Sequence, residues 1–512
     1  LELDAHSADA GIDTRIEAFL DVIRGYRQTL PTPRRSLPFQ LTRLEPQGGA
    51  LMVAASDGSR RPLTDPSVRV LMPSMGDIGA EAMAAAFRYG GIQAVAAPPP
   101  GVEELELGKE IATCKECLPL LLTAGSLRRY LQQHHRPGEI LLYFMPTADG
   151  PYRQGQYRVF LEKYLARERI ADVGLLSLDC KNSYAGLSSR LTRRGWQGIC
   201  ISDGLEDIRA AILALATDPR EALQVFEQSR HRILQSLAND SKAELFLLLR
   251  REMRQLGRLE RKRPLAEATK ISLLGEIYAR RDGFSRQQLV ERLAERDIVV
   301  RTAPVNEWLH YTDYFILQGL DPRVTLGEKL SVRMKQAIKR QDEATIRQAL
   351  LLSGFYQPTE MPMHELISRG ASLISPLLDT EAILTISAAL LEIGDETQGV
   401  ISIGPFGCLP GRISEAVLNY RLEAEKPQFS LQDEEFWRGA GKQLALPFLA
   451  IETDGNPFPQ VVEARLESFI LAAHRLREEL ATLRAAATER RRQGYQREES
   501  PSPLLWPAGE KS

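Results

Sequence analysis

The sequence predicts an α/β protein built from two Rossmann-like parallel-sheet domains, joined by a helical segment and flanked by helical N- and C-terminal extensions. Three observations carry this expectation. Short apolar runs recur, each ending in a Gly- or Pro-bearing loop and followed by helical periodicity, which is the pattern of βαβ units. The pattern occurs twice, over 68–204 and over 266–460, with a helical stretch at 205–265 between. The chain has 512 residues, too many for one ordinary core and enough for about three domains.

From the N-terminus, Ile12, Ile16, Phe19, Ile23 and Tyr26 recur at helical spacing. Pro31, Pro33 and Pro38 end that helix, so residues 1–67 read as a helical lead-in and linker. Val68 to Met72 is the first strand. It passes through Pro73 into the small polar loop Ser74-Met75-Gly76-Asp77, then a helix from Glu81 to Tyr89, a Gly90-Gly91 stop and a strand from Ile92 to Ala97. A strand from Glu139 to Met145, a helix from Tyr157 to Glu168 and a strand from Val173 to Leu178 extend the sheet.

The second domain begins with a strand from Ile271 to Leu274, then Gly275, a helix from Gln287 to Arg296 and a strand from Ile298 to Arg301. Pro322 to Leu352 is helical and charged. Gly399 to Ile403 is a strand running into Gly404-Pro405-Phe406-Gly407-Cys408, with Glu415 and Ala416 opening the next helix and Leu444 to Ile451 a further strand. Residues 461–494 form an amphipathic helix, and the Ser/Pro-containing end of 461–512 reads as disordered. Parallel sheets bind ligands beyond the carboxyl ends of their strands. Gly76, Gly150 to Arg153, and Gly404 to Gly411 all follow predicted strands.

The composition, 43% hydrophobic and 26% charged, suits a soluble globular protein. Lys+Arg 65 against Asp+Glu 67 gives no charge excess that would call for nucleic acid or a membrane surface. The basic run from Arg250 to Arg263 lacks interleaved aromatics and reads as a solvated helix face. No apolar stretch reaches the roughly 18 residues of a membrane span, and no secretory signal pattern opens the sequence. It starts at Leu1, compatible with a piece of a longer polypeptide. Five cysteines are too few for a disulfide framework and point to a reducing compartment, hence a cytoplasmic location. Phosphate-loop, dinucleotide, metalloprotease and serine-hydrolase motifs are missing from the sequence, so any ATP-driven step would need another polypeptide or a further segment.

Three segments carry candidate chemistry. Cys114-Lys115-Glu116-Cys117 spaces two thiols for a shared iron–sulfur cluster, a zinc ion or a disulfide. Zinc wants four ligands, and Cys180, Cys200 and Cys408 form no second pair. The bland alternative is two incidental thiols. Pro405-Phe406-Gly407-Cys408-Leu409-Pro410-Gly411 presents a thiol in a rigid turn after a strand, as a ligand or as a small buried side chain. Asp149-Gly150-Pro151-Tyr152-Arg153 joins a strand to a helix, and is either an ordinary turn or a place where Gly150 and Arg153 hold an anion. Cys180 and Cys200 read as packing residues, Cys200 within the apolar run Gly198-Ile199-Cys200-Ile201.

Together these segments resemble the iron–sulfur subunits of the 2-hydroxyacyl-CoA dehydratase and benzoyl-CoA reductase family, including its double-cubane cluster branch. The likeness rests on Val70 to Gly76, Gly108 to Pro119, Gly150 to Tyr157, Leu274 to Arg280, Pro304 to Trp308, Pro405 to Gly411 and Asp454-Gly455, and covers roughly residues 68–470. The resemblance implies two Rossmann-like halves holding a 4Fe-4S or double-cubane cluster between them, with Cys117 and Cys408 as metal ligands. Where the family carries a third cysteine in a Gly-Pro-Cys-Arg loop, this chain has Tyr152; Cys114, three residues before Cys117, is the expected substitute ligand. Arg153, Gly150 and Gly407 are the expected substrate contacts. The resemblance further implies a low-potential reductase or dehydratase component, a homo- or heterodimer, that receives electrons from an ATP-dependent CoA-enzyme activase. The substrate would be an acyl-CoA or a small unsaturated molecule. The alternative is a cluster-free scaffold of the same fold that docks an activase.

Overall fold

A computed structural model describes residues 16–25, 39–47, 50–113, 116–147, 153–177, 187–320, 324–358, 363–378, 380–430, 436–438 and 444–498. The chain divides into a short unit, Leu1–Gln40, and a large one, Leu41–Ser512. Within the short unit, residues 16–25 form helix α1.

The large unit opens with a departure from expectation. Residues assigned to a linker form an antiparallel meander of β1 (Arg43–Gln47), β2 (Ala50–Ala54) and β3 (Arg60–Pro62). The prolines at 31–38 obscured it, but the turn between β2 and β3 is written in the sequence. Gly58 adopts φ 83°, and the Asp57 carboxylate accepts the Ser59 N–H at 2.7 Å.

Two parallel sheets follow, confirming the predicted fold class. The first contains β4 (Val68–Met72), β5 (Gln93–Ala96), β6 (Ile140–Phe144) and β7 (Val173–Leu176) in the order β5-β4-β6-β7. The second contains β8 (Thr269–Gly275), β9 (Ile298–Thr302), β10 (Val400–Pro405) and β11 (Phe448–Thr453) in the order β11-β10-β8-β9. Counted from its own first strand, each sheet runs 2-1-3-4, so the halves share one topology. Every residue of β8, β9 and β10 is buried, whereas edge strand β11 alternates. Strand β9 lies at the other edge of the same sheet, so the difference reflects how fully each edge is covered and not edge position alone. Thr42 bridges to Gly174 at the edge of the first sheet, where a Cβ on Gly174 would stand 2.5 Å from the Thr42 carbonyl oxygen.

The helices of the first half are α2 (Asp77–Tyr89), α3 (Val102–Lys109), α4 (Leu118–Gln133) and α5 (Tyr157–Arg167). The connector is α6 (Ser189–Leu215), α7 (Pro219–Asn239) and α8 (Lys242–Leu256), N-capped by Ser188, Asp218 and Ser241. The expected boundary after residue 204 therefore falls inside α6. Gly195, Gly198 and Gly204 all lie inside this helix, and at Gly198 and Gly204 neighbours press close. A Cβ on Gly204 would lie 2.2 Å from Leu350 Cδ1. Cys200 sits in this helix, buried, and not at a strand end.

The second half adds α9 (Ile277–Arg281), α10 (Leu289–Ala294), α11 (Asn306–Leu317), α12 (Leu326–Leu350), α13 (Met363–Gly370), α14 (Ala382–Glu392), α15 (Leu409–Phe429) and α16 (Gln460–Glu498). Helix α15 begins at Leu409, not Glu415, because Cys408 caps it and Pro410 fits its first turn. No helix among the described residues is long and apolar enough to cross a membrane.

Helices α3 and α4, which the sequence pattern did not predict, cross at contact distance. A Cβ on Gly125 would stand 1.7 Å from the Glu104 carbonyl oxygen, and one on Gly108 would stand 2.0 Å from that of Leu121. Backbone cannot yield as a side chain can, so Gly125→Ala is expected to destabilise the protein by about 1–3 kcal/mol or more. A urea midpoint unchanged from that of the unmodified protein would contradict this packing.

Candidate functional site

In a sheet of order 2-1-3-4, the loops leaving strands one and three diverge and open a crevice. The two halves bring these crevices together. A cavity of about 210 Å³ is lined by Met72 to Met75 after β4, Phe144 to Pro146 after β6, and Glu276 to Tyr278 after β8. Tyr157 and Glu381 complete its polar wall. Gly76, with φ 79°, allows the first half to approach: a Cβ there would lie 3.2 Å from the Arg281 carbonyl oxygen of the second.

Two cysteines, one from each half, lie beside this cavity, next to its lining residues Tyr157 and Glu276. Cys117 is the N-cap of α4 and Cys408 that of α15, and each is followed by Leu-Pro, with the proline in the first helical turn. Neither sulfur makes a capping hydrogen bond, but the Leu120 amide favours the Cys117 thiolate and the Gly411 amide the Cys408 thiolate. Both thiols thus face the positive end of a helix. The Tyr157 hydroxyl lies 2.6 Å from Cys117 Sγ. The negative charges of Cys117, Glu276 and Cys408 all add to the burial that drives Tyr157 well above the usual phenol range, which places the four groups in one cluster.

The electrostatics favour the protonated forms in this cluster. Burial raises the Cys117 thiol, opposed by the Tyr157 hydrogen bond and reinforced by Glu276. Burial pushes Cys408 up to about 12, with the charges of Glu276, Glu381 and Cys117 adding to it. Glu276 accepts N–H bonds from Tyr278 (3.1 Å) and Ala279 (2.8 Å), yet burial still raises its carboxyl. Glu381 is pushed up to about 8, by burial first and then by the Glu276 charge. Part of the Glu381 residue is accessible, but its Oε2 is closed to solvent and has no hydrogen-bond partner among the described residues.

The expected site residues distribute unevenly. Cys117 and Cys408 are brought together; Cys114 and Gly150, like Tyr152 and Cys180, lie outside the described residues. Arg153 opens a short 3-10 turn before α5, exposed, and its charge favours the Cys117 thiolate. Gly407 has φ 69°, and its N–H is already taken by the Glu452 carboxylate at 3.0 Å, so that amide is not open to a substrate. Among the described residues, no group of three or more His, Cys, Asp or Glu stands ready to hold a single metal ion. The donor set does suit two attachment points of a cluster: two sulfurs at helix N-caps, one from each half, close enough to feel each other's charge. Tyr157 and Glu381 were missed as site residues. Glu276 had a signal, lying directly after strand residues Leu274-Gly275 in a segment already singled out.

A scan against protein-family models finds none that matches this chain, and a search of curated proteins finds no match either.

In metal-free protein, both thiols should alkylate slowly near neutral pH and accelerate only as the solution turns strongly alkaline, Cys408 toward about 12. Tyr157→Phe removes the donor that favours the Cys117 thiolate, so it should slow Cys117 further and leave Cys408 little changed. Mass-spectrometric alkylation rates against pH test this; faster modification of Cys117 in Tyr157→Phe would reverse the assigned role.

Proposed function

We propose that the chain is the iron–sulfur component of an ATP-activated, low-potential reductase or 2-hydroxyacyl-CoA dehydratase system, receiving electrons from a separate activase. The observation that carries this reading is the meeting of Cys117 and Cys408, as paired helix caps, at the crevice shared by the two sheets. These two residues, with Cys114, would hold a 4Fe-4S or double-cubane cluster, which when bound supplies one-electron reduction. The protein's own part is to exclude water, to orient the substrate in the apolar cavity and to hold a proton. The neutral Glu381 carboxyl, with its Oε2 lacking a partner among the described residues, suits the last of these.

Acyl-CoA is the substrate class favoured over a small unsaturated molecule. A groove of about 560 Å³ shares Met83, Phe144, Ile199 and Leu309 with the cavity. Its lining carries Arg190, Arg193, Arg194, Lys242, Lys335 and Lys339, of which Arg193 and Lys242 pair with Asp342, Lys339 pairs with Asp313, and Arg194 is buried. Arg190 and Arg194 lie over the Tyr89 ring, 4.3 and 3.7 Å from its centroid. A cationic mouth leading into an apolar interior suits a phosphorylated head and an acyl arm. The cluster-free scaffold has one feature in its favour, the Tyr157 hydroxyl already seated on the Cys117 sulfur.

Iron and acid-labile sulfide after anaerobic purification decide between the two. Bound iron is expected in the unmodified protein and lost in Cys114→Ser, Cys117→Ser and Cys408→Ser. It should be retained in Cys180→Ser and Cys200→Ser, and Tyr152→Cys should restore it to the Cys114→Ser protein. Absence of iron from every version overturns the cluster reading in favour of the scaffold. The isolated chain is also expected not to hydrolyse ATP, measured as phosphate release.

A further inference from the structure

A second cavity, of about 420 Å³, lies past the carboxyl end of β9, where Thr302, Ala303 and Pro304 line it against α6, α11 and α12. Its size is within the roughly 300–1,000 Å³ of small-molecule sites. Among the described residues it shares only Asp203 with the cavity beside the cysteines. It belongs to neither the cluster site nor the cationic groove, and a ligand bound in it is independent of the proposed iron–sulfur chemistry.

The lining holds charge of both signs. Arg301 sits at the end of β9, its guanidinium nearly buried and 3.4 Å from Glu396. Arg340, on α12, is exposed and has no ion pair among the described residues. Opposite is Asp207 on α6. Its Oδ1 is closed to solvent and lacks a hydrogen-bond partner among the described residues, while the nearby Thr302 amide favours the ionised carboxylate. Burial pushes this carboxyl up to about 7, opposed by Arg281 and Arg301 and reinforced by Asp203. A buried acceptor without a donor is destabilising, and a donor brought by a ligand would relieve it.

We propose that this cavity binds a small zwitterion, its carboxylate or phosphate held by Arg301 and Arg340 and its ammonium by Asp207. An anion alone would leave Asp207 Oδ1 unpaired. An amine alone would make no use of Arg340, which has no ion pair among the described residues. Only a molecule carrying both groups satisfies both walls.

The experiment is calorimetric titration of the full chain with glycine, L-alanine, L-glutamine and O-phosphoethanolamine, using acetate and methylamine as single-charge controls. At least one zwitterion should bind about tenfold more tightly than both controls. Asp207→Asn should weaken it by roughly ten- to a hundredfold, the range for a hydrogen bond to a charged group. Arg340→Ala, at an exposed position that cannot unfold the chain, should weaken it several-fold. Affinity in the unmodified protein should rise from about pH 6 to about pH 8, because the ammonium needs ionised Asp207. His310, bonded to Glu343 at 2.9 Å, lines the same cavity with Glu307, Arg347 and Glu392. Tyr356 is held protonated by burial and contributes no charge there. No binding by any zwitterion, controls that bind equally, or Asp207→Asn without effect would overturn the proposal. If Asp207→Asn fails to fold, an affinity that is flat or falling over the same pH range does so.

Discussion

The carboxylate of Asp203 is the constraint on which the relation of the two halves turns. It projects from α6, the helix that leaves the first sheet, and takes three donors from the second half. Arg281 Nη2 donates to its Oδ1 at 2.8 Å, as does the Val305 N–H at 3.0 Å, and the Asn306 N–H donates to Oδ2 at 3.1 Å. Arg281 itself is buried and also donates to the Ala303 carbonyl oxygen at 3.0 Å. Burying such a pair is costly unless the geometry is good and the remaining lone pairs are used, and here both oxygens are used. One carboxylate thereby fixes the end of α9, which carries the Glu276 loop, relative to the start of α11. Misplacing it would move Glu276 away from Tyr157 and open the seam that Gly76 makes narrow.

The site that results is acidic and dry, and this sets its chemistry. Two thiols, a phenol and two carboxyls share a space in which Arg153 and Arg280 are the cations felt by these groups. Low solvation and mutual repulsion both favour the neutral forms, so the directions of all five shifts agree. Such a cluster has two ways to become stable: keep its protons, or exchange them for a cationic centre. The first makes it a proton reservoir, and the second a thiolate ligand set. The proposed function uses both, with the sulfurs surrendering protons to metal binding and Glu381 keeping its own.

Much of the fold was legible because parallel sheets write themselves plainly. Mostly apolar runs such as Ile271 to Leu274 and Val68 to Met72 end in Gly or Pro, and buried central strands need no polar face. The meander at 43–62 was not legible, since its short strands follow a proline-rich stretch that resembles a linker. Helix α6 was hidden by three interior glycines, whose role is close packing with Met83, Ala82 and Leu350 and only tertiary structure reveals it. In the site, Cys117 stood out by its Cys-x-x-Cys spacing with Cys114, and Cys408 by its Gly- and Pro-rich turn after a strand. Tyr157 and Glu381 did not, because a tyrosine or glutamate at a helix start carries no distinguishing local signal. Their significance lies in what burial does to them.

The pairing of the two cysteines is not a product of the shared topology. By strand count, Cys408 follows the third strand of its sheet, whereas Cys117 follows the second strand of the other, beyond an extra helix. The position equivalent to Cys408 in the first half is the connection after β6, which leads to Tyr157. Different devices therefore aim the two sulfurs. Cys408 is held by a tight turn directly on its strand, through Gly407 at φ 69° and the Cys408 N–H bonded to the Pro405 carbonyl oxygen at 3.0 Å. Cys117 is carried by α4, whose place is set by glycine-mediated contact with α3 and by the bond from the Tyr143 hydroxyl to the Thr123 carbonyl oxygen at 2.7 Å. A turn has few degrees of freedom and a docked helix has more. The Tyr157 hydroxyl, arriving from the connection that is Cys408's counterpart, ties the less constrained sulfur to the first sheet.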